Sequence, residues 1–184
     1  RQAGSLVGKR VLVSGCGPIG CLTVAAARFA GAEEIVATDI APPALAVAAR
    51  MGAGRTVDLA ADPEALVPLE AAKGQIDVVF ECSGAPAAMV GGLRTLRAGG
   101  TLVAVGLGPE VTVPMTQVVA RELTIVGSFR FDPEFETAAR LIDAGRIDVA
   151  PMLTGVMPVD DAAQAFRLAS DKARAMKVQI VFAQ

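Results

Sequence analysis

The 184-residue chain contains no histidine. That absence removes every Ser-His-Asp or Cys-His arrangement from consideration, so any nucleophilic chemistry of that kind is excluded. Cysteine is scarce as well. Cys16, Cys21 and Cys82 form neither an even disulfide set nor a C-x-x-C pair, which points to a reducing compartment. Without histidine or a third close ligand, Cys16 and Cys21 are better read as small buried residues than as a zinc site. No basic run with interleaved aromatics occurs, and 17 basic against 19 acidic residues leave a net charge of -2, so a nucleic-acid partner is not expected. Every apolar stretch is interrupted short of the ~18 residues a membrane span needs. The opening RQAGSLVGKR lacks the hydrophobic segment of a secretory signal, so the expected location is cytoplasmic. It begins without Met and reads as the end of a helix followed by a glycine stop, which predicts that the chain is a fragment of a longer protein.

What is present suits a close-packed α/β protein: 53% hydrophobic and 20% charged residues, rich in alanine, valine and glycine. Short β-branched runs alternate with alanine-rich segments, the pattern of successive β-α units in a parallel sheet. Strands are predicted at Arg10 to Ser14, Glu34 to Thr38, Arg55 to Val57, Asp77 to Phe80, Thr101 to Val105 and Leu123 to Val126. Runs such as VLV and DVVF are apolar without alternation, as both faces of a helix-covered sheet require. Helices are predicted at Pro18 to Ala30, Pro43 to Met51, Pro63 to Ala72 and Pro86 to Leu96, with prolines in first turns and glycines at the stops. Beyond them come a helix from about Pro133 to Ala144, a proline-interrupted stretch, a helix from Asp160 to Ser170 capped by Asp160 or Asp161, and a strand in VQIVF with no evident partner in the parallel sheet. The expected architecture is a Rossmann doubly wound parallel six-stranded sheet over residues 1–150. A helix-strand tail over residues 151–184 is expected to pack on another body.

The stretch VLVSGCGPIG places Gly15, Gly17 and Gly20 in G-x-G-x-x-G spacing between a strand and a helix. Gly15 makes the tight turn, Gly17 lets backbone approach a pyrophosphate, and Gly20 lets the helix pack close to its strand. The helix start then offers free N–H groups and partial positive charge to phosphates. Asp39, closing the second strand, can accept both ribose hydroxyls of an adenosine and would repel a 2'-phosphate, which favours NAD over NADP. An alternative role for Asp39 is to cap the helix that follows. Further strand ends at Glu81 to Pro86, Val105 to Gly108 and Gly127 to Phe131 carry glycine and leave room for a ligand, or simply need turns of positive φ. Cys82 falls beside the same cleft.

With GKRVLVSGCGPIG, ATD, FECSG, LRAGGTLVAVG and GSFRF in place, the chain resembles the coenzyme-binding half of the zinc-dependent medium-chain alcohol and polyol dehydrogenases. GSFRF and the ending KVQIVF resemble most the L-idonate 5-dehydrogenase and sorbitol dehydrogenase group. The resemblance implies NAD held by Gly15, Gly17, Pro18, Ile19, Gly20, Asp39, Cys82 and Ser83. It implies a nicotinamide end meeting Val105, Gly106, Leu107, Ser128, Phe129 and Arg130. Arg130 would also reach substrate, the alternative being a surface guanidinium beside Asp132 or Glu134. Where sorbitol dehydrogenases carry an arginine five positions after the ribose aspartate this chain has Ala44, and Phe131 stands where they have tyrosine.

The resemblance further implies zinc bound by a separate N-terminal domain, hydride transfer between a secondary alcohol of a polyol or sugar acid and NAD, and no turnover by these 184 residues alone. No catalytic residue and no metal ligand is assigned within the chain. VTVPMTQ is read as an edge strand through which a homodimer, or a tetramer of such dimers, would form. Two other readings stay open: a zinc-free medium-chain NAD(P)H reductase and a non-enzymatic NAD-sensing domain.

Overall fold

A computed structural model describes residues 1–131, 133–171 and 174–182. Six strands, β1 (Arg10–Ser14), β2 (Glu34–Asp39), β3 (Arg55–Asp58), β4 (Ile76–Glu81), β5 (Leu96–Ala104) and β6 (Thr124–Gly127), form one sheet in the order β3-β2-β1-β4-β5-β6. Every pairing in it is parallel. Helices α1 (Pro18–Phe29), α2 (Pro42–Met51), α3 (Val67–Glu70), α4 (Pro86–Thr95), α5 (Met115–Ala120) and α6 (Pro133–Asp143) connect and follow the strands.

Consecutive strand residues point to opposite faces, and each face has its own core. Val11, Val13, Ile35 and Ala37 join Cys21, Val24 and Ala48 on the side of α1 and α2. Leu12, Val36, Val79 and Leu102 join Leu69 and Leu93 on the side of α3 and α4. Both faces are dry, so the strands read as unbroken apolar runs. The order reverses between β1 and β4, and in such sheets the crevice at the reversal, outside the carboxyl ends of the strands, is where ligands bind.

Several elements differ from the sequence reading. The helix predicted from Pro63 to Ala72 shrinks to α3 and a 3-10 turn at Ala71–Lys73, in which Ala72 and Lys73 take positive φ. Ahead of it, the Asp58 carboxylate accepts the N–H groups of Ala60 and Ala61, and the Asp62 carboxylate accepts that of Glu64. These local bonds compete with helix formation. Strand β5 starts at Leu96, five residues before Thr101, because Leu96 already pairs with Ile76 ahead of a register shift. The N-terminal RQAGSLVGKR holds turns at Gly4 and Gly8 in place of a helix end. Of the predicted edge strand VTVPMTQ, residues 111–114 join no ladder and Met115 opens α5.

The tail forms a second, two-stranded sheet. Strand β7 (Leu153–Pro158), helix α7 (Ala162–Ser170) and strand β8 (Lys177–Val181) make a β-α-β crossover whose two strands pair in parallel, apart from the large sheet. The proline-interrupted stretch is therefore a strand, and it is the partner VQIVF lacked. Asp160 and Asp161 lie in a 3-10 turn, and Asp161 makes no side-chain cap bond to α7. Met152 buries this end of the chain against the α1 and α2 core, and the Arg50 guanidinium donates to the Pro151 carbonyl at 3.1 Å.

Candidate functional site: a nucleotide cradle

The cradle begins with Gly15, at φ +87, where a side chain would meet Ser83 at 2.8 Å. Gly17 is the extended N-cap of α1, and a Cβ there would meet open space. Pro18 takes the first helical position, and Ile19 is 55% exposed beside it. The first bond within the helix runs from the Cys21 N–H to the Gly17 carbonyl at 2.9 Å, so the N–H groups of Ile19 and Gly20 have no intrahelical partner. A Cβ on Gly20 would lie 1.8 Å from the Gly15 carbonyl oxygen, so strand end and helix start touch backbone to backbone.

Asp39 ends β2 beside this loop. Its Oδ2 accepts the Cys16 N–H at 2.6 Å, and its Oδ1 accepts those of Ile40 and Ala41 at 2.7 and 2.9 Å. The carboxylate is thus fixed at the lip of the cleft, bonded to the glycine loop on one side and to the turn before α2 on the other. Ala41, not Asp39, is the N-cap of α2.

The carboxyl ends of five strands are laced together. Gly15 N–H donates to the Thr38 carbonyl, Cys82 N–H to Ser14, Val105 and Gly106 N–H to Glu81, and Ser128 N–H to Ala104, each at 2.8 Å. Along this rim the structure brings together Gly15, Cys82, Ser83, Val105, Gly106 and Ser128. A cleft of about 700 Å³ opens from Ser14, Gly15, Asp39 and Ser83 into an apolar groove walled by Ile40, Pro63, Val67, Ala85 and Ala88. On the other side of the reversal, Leu107 and Phe129 stand 78% and 64% exposed, and the Arg130 guanidinium lies 4.2 Å from the centre of the Phe129 ring. Glu134 pairs with Arg1 at 2.8 Å, and Asp132 lies outside the described residues.

The three thiols sit under the cradle. Burial, and then the neighbouring Asp39 and Cys82, push the Cys21 thiol up to about 11. Cys82 also rises to about 11: burial and the Glu81 carboxylate outweigh its contact with the Thr23 hydroxyl at 3.7 Å. Cys16 is raised further still, chiefly by burial. All three therefore keep their protons at neutral pH and are weak nucleophiles and weak metal ligands.

Glu81, which the sequence places only as the start of a ligand-bordering strand end, has a structural role of its own. Glu81 is fully buried at the end of β4, and its carboxylate accepts the N–H groups of Ser83 and Gly84 and the Ser83 hydroxyl. Its signal in the sequence is a charge that directly follows the apolar run VVF at the end of β4. Nothing in the sequence marks Pro63 and Val67 as a groove wall, because their composition suits plain helix.

Residues 18–144 match the family described as zinc-binding dehydrogenase. The chain belongs to that family. It is 43% identical to L-idonate 5-dehydrogenase (NAD(P)(+)) of Escherichia coli over 182 residues, 98% of this chain and 52% of that protein. The crystal structure of L-idonate 5-dehydrogenase from E. coli K-12 superposes with a TM-score of 0.91 at 42% identity, again over 98% of this chain and 52% of the other. Sorbitol dehydrogenase of Gallus gallus is 37% identical over 170 residues, 90% of this chain and 48% of that protein. A structure from Sinorhizobium meliloti 1021 solved bound to NADP gives a TM-score of 0.81 at 31% identity, over 99% of this chain and 54% of the other. The chain thus spans about half the length of the relatives it matches.

The family's name implies zinc, and this chain's residues do not fit it. No histidine occurs in the sequence, and among the described residues no group of three or more histidine, cysteine, aspartate or glutamate side chains is placed to hold a metal ion. The cradle, in contrast, suits a dinucleotide: a backbone lip for phosphates, a fixed carboxylate for a ribose, and an apolar groove beside it.

Proposed function

We propose that this chain is the NAD-binding half of a dehydrogenase that interconverts a secondary alcohol of a polyol or sugar acid with its ketone. The observation that carries the reading is the backbone contact of Gly15 with Gly20 beside an Asp39 carboxylate bonded to the Cys16 N–H. The open space at Gly17 and the N–H groups of Ile19 and Gly20 would receive the pyrophosphate. Asp39 would accept the adenosine ribose hydroxyls, and the groove between Ile40, Pro63, Val67 and Ala88 would take the adenine ring. Backbone at Val105 to Leu107 and Ser128 to Arg130 would orient the nicotinamide, with Arg130 also within reach of substrate. Bound there, the nicotinamide supplies the hydride acceptor and donor.

Residues 1–150 form the dinucleotide-binding body in this reading, and residues 151–184 dock on a catalytic domain that carries the zinc ligands. The outward apolar side chains of the tail, Leu153, Val156 and Phe166 among them, support that docking. The edge of β6 and the face of α5 would pair with a second copy. The 184 residues alone would bind NAD(H) without oxidising a polyol.

Titration of the chain with NADH and NADPH, followed by nicotinamide fluorescence, tests the reading. NADH is expected to bind at least about tenfold more tightly, because a fixed carboxylate at the ribose disfavours a 2'-phosphate by a kcal/mol or more, roughly a decade in affinity. No binding of NADH, or a preference for NADPH, would overturn it.

A further inference from the structure

We infer that Glu81 is a positioning residue for the dinucleotide: its buried carboxylate fixes the backbone of Ser83 and Gly84, and through them the backbone at Gly106 to Gly108. The inference rests on the NAD-binding reading above. A carboxylate with no solvent exposure is costly to bury unless its lone pairs are satisfied, and here three donors from two successive residues converge on it. The Ser83 N–H lies 2.8 Å from Oε1, the Gly84 N–H lies 3.1 and 3.0 Å from the two oxygens, and the Ser83 hydroxyl completes the set. The main-chain carbonyl of Glu81 meanwhile accepts the N–H groups of Val105 and Gly106. One residue therefore grips its own loop with its side chain and the neighbouring strand end with its backbone.

What Glu81 holds is the middle layer of a backbone stack. A Cβ on Gly106 would lie 2.2 Å from the Gly84 nitrogen, one on Gly108 would lie 1.8 Å from the Gly84 oxygen, and one on Gly84 would lie 2.4 Å from the Leu107 oxygen. No side chain intervenes to absorb a shift, so displacement of Gly84 passes directly to the Val105 to Gly108 backbone. The adenosine side touches this layer at one point, where a Cβ on Gly15 would lie 2.8 Å from Ser83, but it has anchors of its own: Gly15 is bonded to Thr38, and Cys16 to Asp39. Loss of the Glu81 carboxylate should accordingly weaken contacts at the nicotinamide end more than those at the adenosine end.

The test compares NADH with ADP-ribose, which keeps the adenosine, pyrophosphate and second ribose but lacks the nicotinamide. In Glu81→Gln, the Kd for NADH is expected to rise about tenfold or more while that for ADP-ribose changes less than about threefold, since bonds to a buried charge are replaced by a mismatched amide. Glu81→Asp, which keeps the charge but falls short of the donors, should move the ratio in the same direction; if the Gln variant does not fold, the Asp variant decides. Equal weakening of both ligands, or an unchanged ratio in a wild-type chain that binds NADH, would overturn the role of Glu81 and leave the cofactor reading intact. Failure of the wild-type chain to bind either ligand would overturn both.

Discussion

Gly20 shows how little freedom a single position in the cradle has. Its would-be Cβ lies 1.8 Å from a main-chain oxygen that cannot move without unpicking the turn at Gly15. Gly20→Ala is therefore expected to lower NADH affinity at least tenfold while α1 and the sheet persist, as read by NADH titration beside far-ultraviolet circular dichroism; an affinity within twofold of wild type would contradict the contact. Gly15, Gly17 and Gly20 were legible in the sequence because steric need prints itself as spacing. Asp39 was legible for the same kind of reason, since a carboxylate closing a buried strand must meet something at the sheet's edge. Glu81 has the same position on β4 but is not legible in that way, because ECSGAP shows a charge but not that the chain folds back to wrap it. Only the path of Ser83 and Gly84 around the carboxylate reveals its burial. Where the resemblance to sorbitol dehydrogenases implies arginine and tyrosine, Ala44 packs against the α1 and α2 core and the Phe131 ring stacks on Phe135 with centroids 5.4 Å apart.

Strand β4 is paired on both sides, with β1 and β5, and its far end is tied as well as its rim. Near its start Asp77 accepts the Arg10 N–H at 2.9 Å and the Arg97 guanidinium at 2.6 Å, with the Lys9 ammonium at 3.6 Å. Burial acts to raise its pKa, but these partners outweigh it and hold the carboxyl below its usual range. A depressed folded value means the stabilisation is complete above the unfolded value of ~3.9 and is lost as pH falls through the lower folded one. Asp77→Asn should thus lower stability by about 1–2 kcal/mol at pH 6, with the gap to wild type narrowing below about pH 4. Urea midpoints at the two pH values measure this, and a gap that is constant with pH would refute it. Strand cores such as VLV were legible at this scale because a sheet covered on both faces leaves no other pattern. The segment from Asp58 to Lys73 was not, since its prolines and alanines suit a helix and only the Asx turns at Asp58 and Asp62 divert it. Strand β7 was hidden by Gly155 and Pro158, residues that read as loop until β8 lies alongside.

The molecule as a whole presents apolar surface where its own chain supplies no cover. On the β6 side, Met115 and Val119 of α5 are 58% and 72% exposed and Ile125 of β6 is 40% exposed, and β6 ends the sheet with one edge unpaired. Such an edge and such a patch favour association. The chain is expected to sediment as a dimer at micromolar concentration, and Val119→Glu to sediment as a monomer; identical sedimentation of the two would remove this face from the interface.

The laced rim bears on how the cradle would respond to being filled. Its bonds from Thr38 through Ser14, Glu81 and Ala104 are made within the chain, so a ligand has none of them to create. Association then spends little conformational entropy on the backbone. The rim amides at Gly15, Cys82 and Gly106 should already exchange slowly with solvent deuterium before NADH is added, and ligand-dependent protection should concentrate at the lip of α1.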